Sequence, residues 1–302
     1  MSRPLTQPVS PPPTRDGPTP PQLLAMRARG HAGFLTGATI LAVLAFVALA
    51  APLLAPHDPY AQDLSRRLIA PVWAENGSWE HVFGTDALGR DYFSRILYGA
   101  RVSLTIGLCA AVGSGIIGTA LGLLAGYYGG RIDSFVTFVV SVRLALPVVL
   151  VALAVVSIFG GRLWIVVAIL SLLLWDRFAV VVRAATQQLR SQEFVTAAVA
   201  MGAGAPRILL GELLPNLAGP LLVVASLEVG HAILLESALS FLGLGVQPPT
   251  PSWGLMVAES KGMIFFDARL IALPGAAIAL TVLAINLMGD GLRDILSPEG
   301  RA

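Results

Sequence analysis

Long apolar runs separated by short polar, glycine- or proline-bearing segments dominate the chain. Phe34 to Leu54 is apolar almost throughout and follows Arg27 and Arg29. Five more runs follow: Val102 to Tyr127, Phe135 to Phe159, Leu163 to Val182, Leu217 to Leu235 and Leu270 to Met288. Each is near the ~20 residues that a helix needs to cross a bilayer. The pattern predicts an all-α, polytopic membrane protein with six transmembrane helices. Pro147 and Pro274 fall inside predicted spans, and the second run carries Gly at 107, 113, 115, 118, 122 and 126. Membrane helices tolerate both residues, because small residues allow close packing and neighbours satisfy freed backbone groups.

The first run contains Ala48-Leu49-Ala50, the small-x-small form of a signal cleavage site. However, it outlasts the roughly 7–15-residue core of a signal peptide and stays apolar past that point, so it reads as an uncleaved helix. Residues 1–33 read as a disordered, Pro-rich cytoplasmic tail with a basic flank, its first 21 residues rich in Pro, Ser and Thr. Residues 34–298 read as one transmembrane domain, and 299–302 as a short tail.

Composition agrees with lipid as solvent. Hydrophobic residues make up 55% and charged residues 13%, against about 25% charged in soluble domains. A net charge of +2 gives no footprint for nucleic acid, and the single Cys109 excludes an intrachain disulfide or a cysteine-based metal site. Arginine sets orientation. Arg3, Arg15, Arg27 and Arg29, then Arg183, Arg190 and Arg207, then Arg293 and Arg301 share one side if the spans number six. The positive-inside rule makes that side cytoplasmic, N-in and C-in. The 57–101 segment opposes this with Arg66, Arg67, Arg90, Arg95 and Arg101.

Between the fourth and fifth spans, residues 192–216 read QEFVTAAVAMGAGAPRILLGELLPN. Glu193 to Met201 predicts a short helix that Gly202 and Gly204 end. Ala205-Pro206 restarts the chain, Ile208 to Leu214 forms a second helical turn, and Leu214-Pro215 leads into the next span. Ala197, Ala198, Ala200 and Gly202 leave room for close approach. On residues alone two readings stand: a knob that docks in another protein's groove, and an ordinary helical loop.

The segment resembles the coupling-loop motif of ATP-binding cassette permeases, with Thr196-Ala197-Ala198, Gly202, Glu212 and Leu214-Pro215 at the motif's spacing. Thr196 stands where Glu is usual, and Glu212 where an apolar residue is usual. Two further stretches resemble permeases of the dipeptide, oligopeptide and nickel importers: His81 to Arg95 with Tyr98 to Leu104, and Glu236 to Gly254. Asn286 to Asp294 matches as well, so the resemblance runs from about Phe34 to Pro298. It points to the second of two paired permeases and implies the type I importer permease fold. It also implies a homologous second permease, two ATPase subunits that bind ATP and Mg, and an extracytoplasmic solute-binding protein, in a bacterial cytoplasmic membrane. Glu193, Thr196, Ala197, Ala198, Gly202, Leu214 and Pro215 would carry coupling. Peptide is the default cargo by family frequency; nickel or another small solute is the alternative.

Gly84-Thr85-Asp86 predicts a turn and a helix cap. Arg90, Tyr92, Arg95 and Tyr98 are expected at a membrane interface, stems on lipid and tips in water. Arg90, Asp91 and Arg95 are candidates for contact with the pore mouth or the receptor; bracing of the second span is the alternative. Asp176, Arg177, Glu228 and His231 lie inside predicted spans, where ionisable groups face a partner or a cavity. Glu228 and His231, three apart, share a helical face, but a di-iron site needs a second such pair and two more Glu helices. His31, His57 and His81 are scattered and read as surface residues, so no metal site is predicted. The only lysine, Lys261, has no phosphate-binding loop around it; ATP hydrolysis is therefore expected on a separate chain. A self-sufficient channel or secondary transporter would explain the buried charges but not the loop spacing. An intramembrane enzyme using Glu228 and His231 would lack further catalytic residues.

Overall fold

A computed structural model describes residues 20–296; residues 1–19 of the predicted tail and residues 297–302, the short C-terminal tail among them, lie outside the described residues. The chain opens with α1 (Pro20–Gly30) and α2 (Ala32–Leu54), then crosses a 57–91 segment with one short 3-10 turn, to α3 (Tyr92–Tyr128). There follow α4 (Gly130–Ala145), α5 (Val148–Phe159), α6 (Leu163–Leu173), α7 (Asp176–Arg190) and α8 (Glu193–Ala200). Next, α9 (Ala205–Arg207) and α10 (Leu214–Asn216) flank a π-helical turn at Ile208–Leu213. The chain then runs through α11 (Ala218–Phe241), α12 (Trp253–Ser260) and α13 (Arg269–Leu296). Among the described residues there is no strand, only an isolated bridge between Thr85 and Asp91.

Among the described residues, five helical stretches are long and apolar enough to span a membrane: α2, α3, α6 with α7, α11 and α13. The third predicted span is not one straight helix. It is divided into α4 and α5, bent by 86° at Leu146-Pro147, and makes a sixth span only if the bent pair counts as one. Proline has no N–H to continue the ladder and pushes the residue before it out of the α region; Leu146 sits at φ −93°, ψ 127°. The fourth span also differs, running on to Arg190 rather than ending at Val182.

The second span starts ten residues early. Its cap is Asp91, whose carboxylate accepts from the Ser94 N–H at 2.8 Å. Asp86, expected as the cap, instead accepts from the N–H groups of Leu88 and Arg90 at 2.8 and 3.0 Å. The resulting α3 has 37 residues, about 55 Å of helix, and serves as the mast of the bundle. Gly118, Gly122 and Gly126 form a stripe against α7; a Cβ on Gly122 would lie 2.7 Å from the Ala179 carbonyl oxygen. Such close packing supplies dispersion where lipid removes the hydrophobic drive between helices. The two ends of α3 hold different cores. Tyr92 and Ala100 pack with Ala48, Trp253, Met256 and Leu270 at one end. At the other, Leu123 packs with Val182, Val195, Ala198, Ile208, Leu213 and Leu217. α2 is peripheral, with Val43, Phe46, Leu49 and Leu53 exposed, an apolar face suited to lipid.

Candidate functional site: the exposed loop, the intramembrane charges and the opposite end

The 192–216 segment folds much as its residues dictate. The N–H of Gly202 bonds the Val199 carbonyl and that of Ala203 the Ala198 carbonyl, at 2.9 and 3.0 Å. This paired ending closes α8, and it requires the left-handed φ of +82° that Gly202 supplies. Val195 and Ala198 turn inward onto Ile208, Leu213 and Leu217. Ala198 is thus buried, although it was expected on the docking face. Glu193, Thr196, Ala197 and Gly202 are exposed, as are Phe194, Val199, Met201 and Leu210. Leu214 packs against the loop's core and Pro215 is exposed. Pro215 has no N–H for the turn before it, where the Leu214 N–H reaches the Leu209 carbonyl in the i to i+5 pattern. The loop is a packed knob with an apolar inner face and a partly apolar outer one.

Above it lie the intramembrane charges. Glu228 on α11 is fully buried and receives Arg177 Nη1 at 3.0 Å. His231 Nδ1 stands 3.3 Å from its other oxygen. Asp176 pairs with Arg143 of α4 at 3.4 Å, and Arg143 also donates to the Leu173 carbonyl. That carbonyl is free because the helix breaks between α6 and α7. Asp176, Arg177 and Glu228 line a cavity of about 360 Å³ with Leu144, Val180, Val181, Val224 and Leu227. Arg143 is a partner that the sequence did not single out.

At the far end of α3, Arg90 and Arg95 are not on lipid. Both are buried, at 5% and 1% exposure. Arg90 bonds Asp86 at 2.7 Å and Glu259 at 2.9 Å; Arg95 bonds the same two carboxylates. Tyr92 is buried and its hydroxyl donates to the Leu270 carbonyl. Burial pushes the Asp86 carboxyl up, but Arg95, Arg90 and the two backbone N–H groups outweigh it and hold it below the usual carboxylate range. Arg269 of α13 donates to the carbonyls of Ile69 and Thr85, at 2.8 and 3.2 Å, and to that of Phe83. This geometry ties the 57–91 segment to α3, α12 and α13. Asp91 caps α3 and meets His81 Nδ1 at 2.8 Å. His81 is buried and packs against His57, ring centroids 4.6 Å apart and planes tilted by 34°; it is not the surface residue expected. Glu259 carried no local signal, since the arginines it bonds lie more than 160 residues away; Arg269 sits beside Asp267, but the carbonyls it reaches on the 57–91 segment are distant in sequence.

Comparison with known proteins places this arrangement. Residues 118–301 match the family described as binding-protein-dependent transport system inner membrane component. Residues 20–71 match the N-terminal transmembrane domain of oligopeptide transport permease C. The chain belongs to this permease family. The permease is 44% identical over 267 residues to the di/tripeptide transport system permease of Pseudomonas aeruginosa, covering 88% of each chain. It is 42% identical to the dipeptide transport system permease of Escherichia coli, over 88% of this chain and 89% of that one. It is also 37% identical to a dipeptide transport system permease of Haemophilus influenzae, over 93% and 95%. In fold it is similar to a chain of the MetNI methionine ABC transporter in an inward-facing conformation: TM-score 0.55, 18% identity, covering 67% of this chain and 97% of that one. It is a multi-pass permease subunit of an ABC importer, with the type I permease fold.

Proposed function

We propose that this permease pairs with a homologous second permease to carry di- or oligopeptides across the bacterial cytoplasmic membrane, driven by two ATPase subunits docked below. The observation that carries the reading is the 192–216 knob. Its inner face is consumed by packing, and its outer face, around Ala197, Met201 and Gly202, is exposed and partly apolar. A packed, exposed apolar knob fits a groove on a partner. ATP and Mg are bound by those partners, and closure of the ATPase pair rocks the helix bundles about the pore. The knob is cytoplasmic, both termini lie on its side, and the 57–91 segment faces a solute-binding protein outside. The cavity at Asp176, Arg177 and Glu228 borders the path of the cargo. The peptide assignment rests on the names of the relatives.

The test is copurification of the tagged permease, expressed with its operon, comparing wild type with Ala197→Arg and Gly202→Arg. Ala197→Arg is the cleaner variant, because Ala197 is exposed on a helix whereas any side chain strains the Gly202 backbone. The expected result is normal membrane insertion with loss of both ATPases. Retention of the ATPases and of peptide uptake in Ala197→Arg would refute the docking face.

A further inference from the structure

The 57–91 segment places two imidazoles beside two carboxylates. One ligand atom from each of His57, Glu80 and His81 lies within 4.8 Å of the others. His81 is 5% exposed and spends Nδ1 on Asp91; its Nε2 is buried and has no hydrogen-bond partner. His57 Nδ1 is likewise buried without a hydrogen bond, 3.6 Å from the Asp91 carboxylate. Two orphaned nitrogens in one pair of adjoining imidazoles are costly to keep, because each forfeits its hydration on burial. A cation that binds imidazole nitrogen removes that cost. We propose that His57, His81 and Glu80 form a binding site for a zinc-class divalent cation at the end of the bundle opposite the 192–216 knob.

The donor set fits the chemistry. Two imidazoles and one carboxylate suit zinc with a fourth position left to water. Tetrahedral bonds of about 2.0–2.1 Å set donors roughly 3.3 Å apart, so ligand atoms now within 4.8 Å draw in by about 1.5 Å at most. The movable members permit this: the Glu80 side chain is 53% exposed and that of His57 35%, while His81 is pinned. Glu80 keeps one oxygen on Arg66 and has the other for the metal. Asp91 is the positioning residue, since it takes the Nδ1–H of His81 and turns Nε2 toward the ion. A bound ion would clamp the exit of α2 to the cap of α3.

The test uses the whole transporter, purified through a histidine-free tag, with zinc titrated calorimetrically and Co²⁺ as the optical probe. The expected result is about one zinc per permease and tetrahedral cobalt absorption, both lost in His57→Ala and in Glu80→Gln. Asp91→Asn, which keeps a capping side chain, should weaken zinc about 10–100-fold. His31→Gln and His231→Gln should leave binding unchanged. His57 and Glu80 are partly exposed, so their variants decide the matter even if His81→Ala fails to fold. No zinc uptake at micromolar metal, or uptake that survives His57→Ala combined with Glu80→Gln, overturns the proposal.

Discussion

Arg95→Met tests the buried charge cluster directly. Wild-type Arg95 is 1% exposed and bonds both Asp86 and Glu259. The substitution keeps much of the side-chain volume but leaves two carboxylates around Arg90 alone, one uncompensated negative charge. Breaking a buried ion pair by removing one partner costs about 3–5 kcal/mol. The Glu259 side chain is 25% exposed, so water screens part of the loss and about 3 kcal/mol is the expected value. On the scale of about 2–4 °C per kcal/mol that holds for chains of about 150–250 residues, the midpoint should fall by at most roughly 6–12 °C. Tryptophan fluorescence of the detergent-purified transporter during heating reads it, since Trp253 packs in the same end of the bundle. Asp86→Asn in the Arg95→Met background restores neutrality. The double variant should therefore be more stable than the sum of the singles predicts, by more than about 1 kcal/mol. A shift under about 2 °C for Arg95→Met, or strict additivity in the cycle, would refute the cluster as a stabilising unit.

Three further outcomes are expected. Asp86 has a lowered folded-state pKa, so its contribution is fully present above the unfolded value near ~3.9 and is lost as pH falls below it; thermal midpoints from pH 7 to 3.5 should drop at the acid end in wild type, and Asp86→Asn should lack that part. Gly122→Leu puts a side chain where Ala179 backbone lies 2.7 Å from even a Cβ, which a helix cannot yield; a loss of 1–3 kcal/mol or more should appear as aggregation in size-exclusion chromatography, whereas Gly275→Ala, with open space around it, should elute normally. Arg177→Met leaves Glu228, fully buried, with only His231 beside it; peptide uptake should fall sharply while assembly with the ATPases persists, and Glu228→Gln in that background should recover part of it. Unchanged uptake in Arg177→Met would remove the pair from the transport path.

Solvent, fold class and the helical loop at 192–216 are all readable along the chain. Hydropathy over some twenty residues is a local property, so α2, α3, α11 and α13 were visible as runs. The end of α8 was equally legible, because the residues that close it, Ala198 to Ala203, are neighbours in the chain. Tertiary structure decided the rest. Pro147 marked a breaking point, but hydropathy has no term for direction, so the 86° bend between α4 and α5 was hidden inside one apolar run. Arg90 and Arg95 looked like interface residues: Asp86 is near in sequence, but Glu259, the second carboxylate that both bond, lies more than 160 residues away. Arg177 and Glu228 are 51 residues apart, and Arg143 and Asp176 lie on opposite sides of three helix breaks. Whether a charged side chain faces lipid, water or a partner depends on which helices meet. No periodicity records that, because pairing between distant segments is set by packing and not by spacing along the chain.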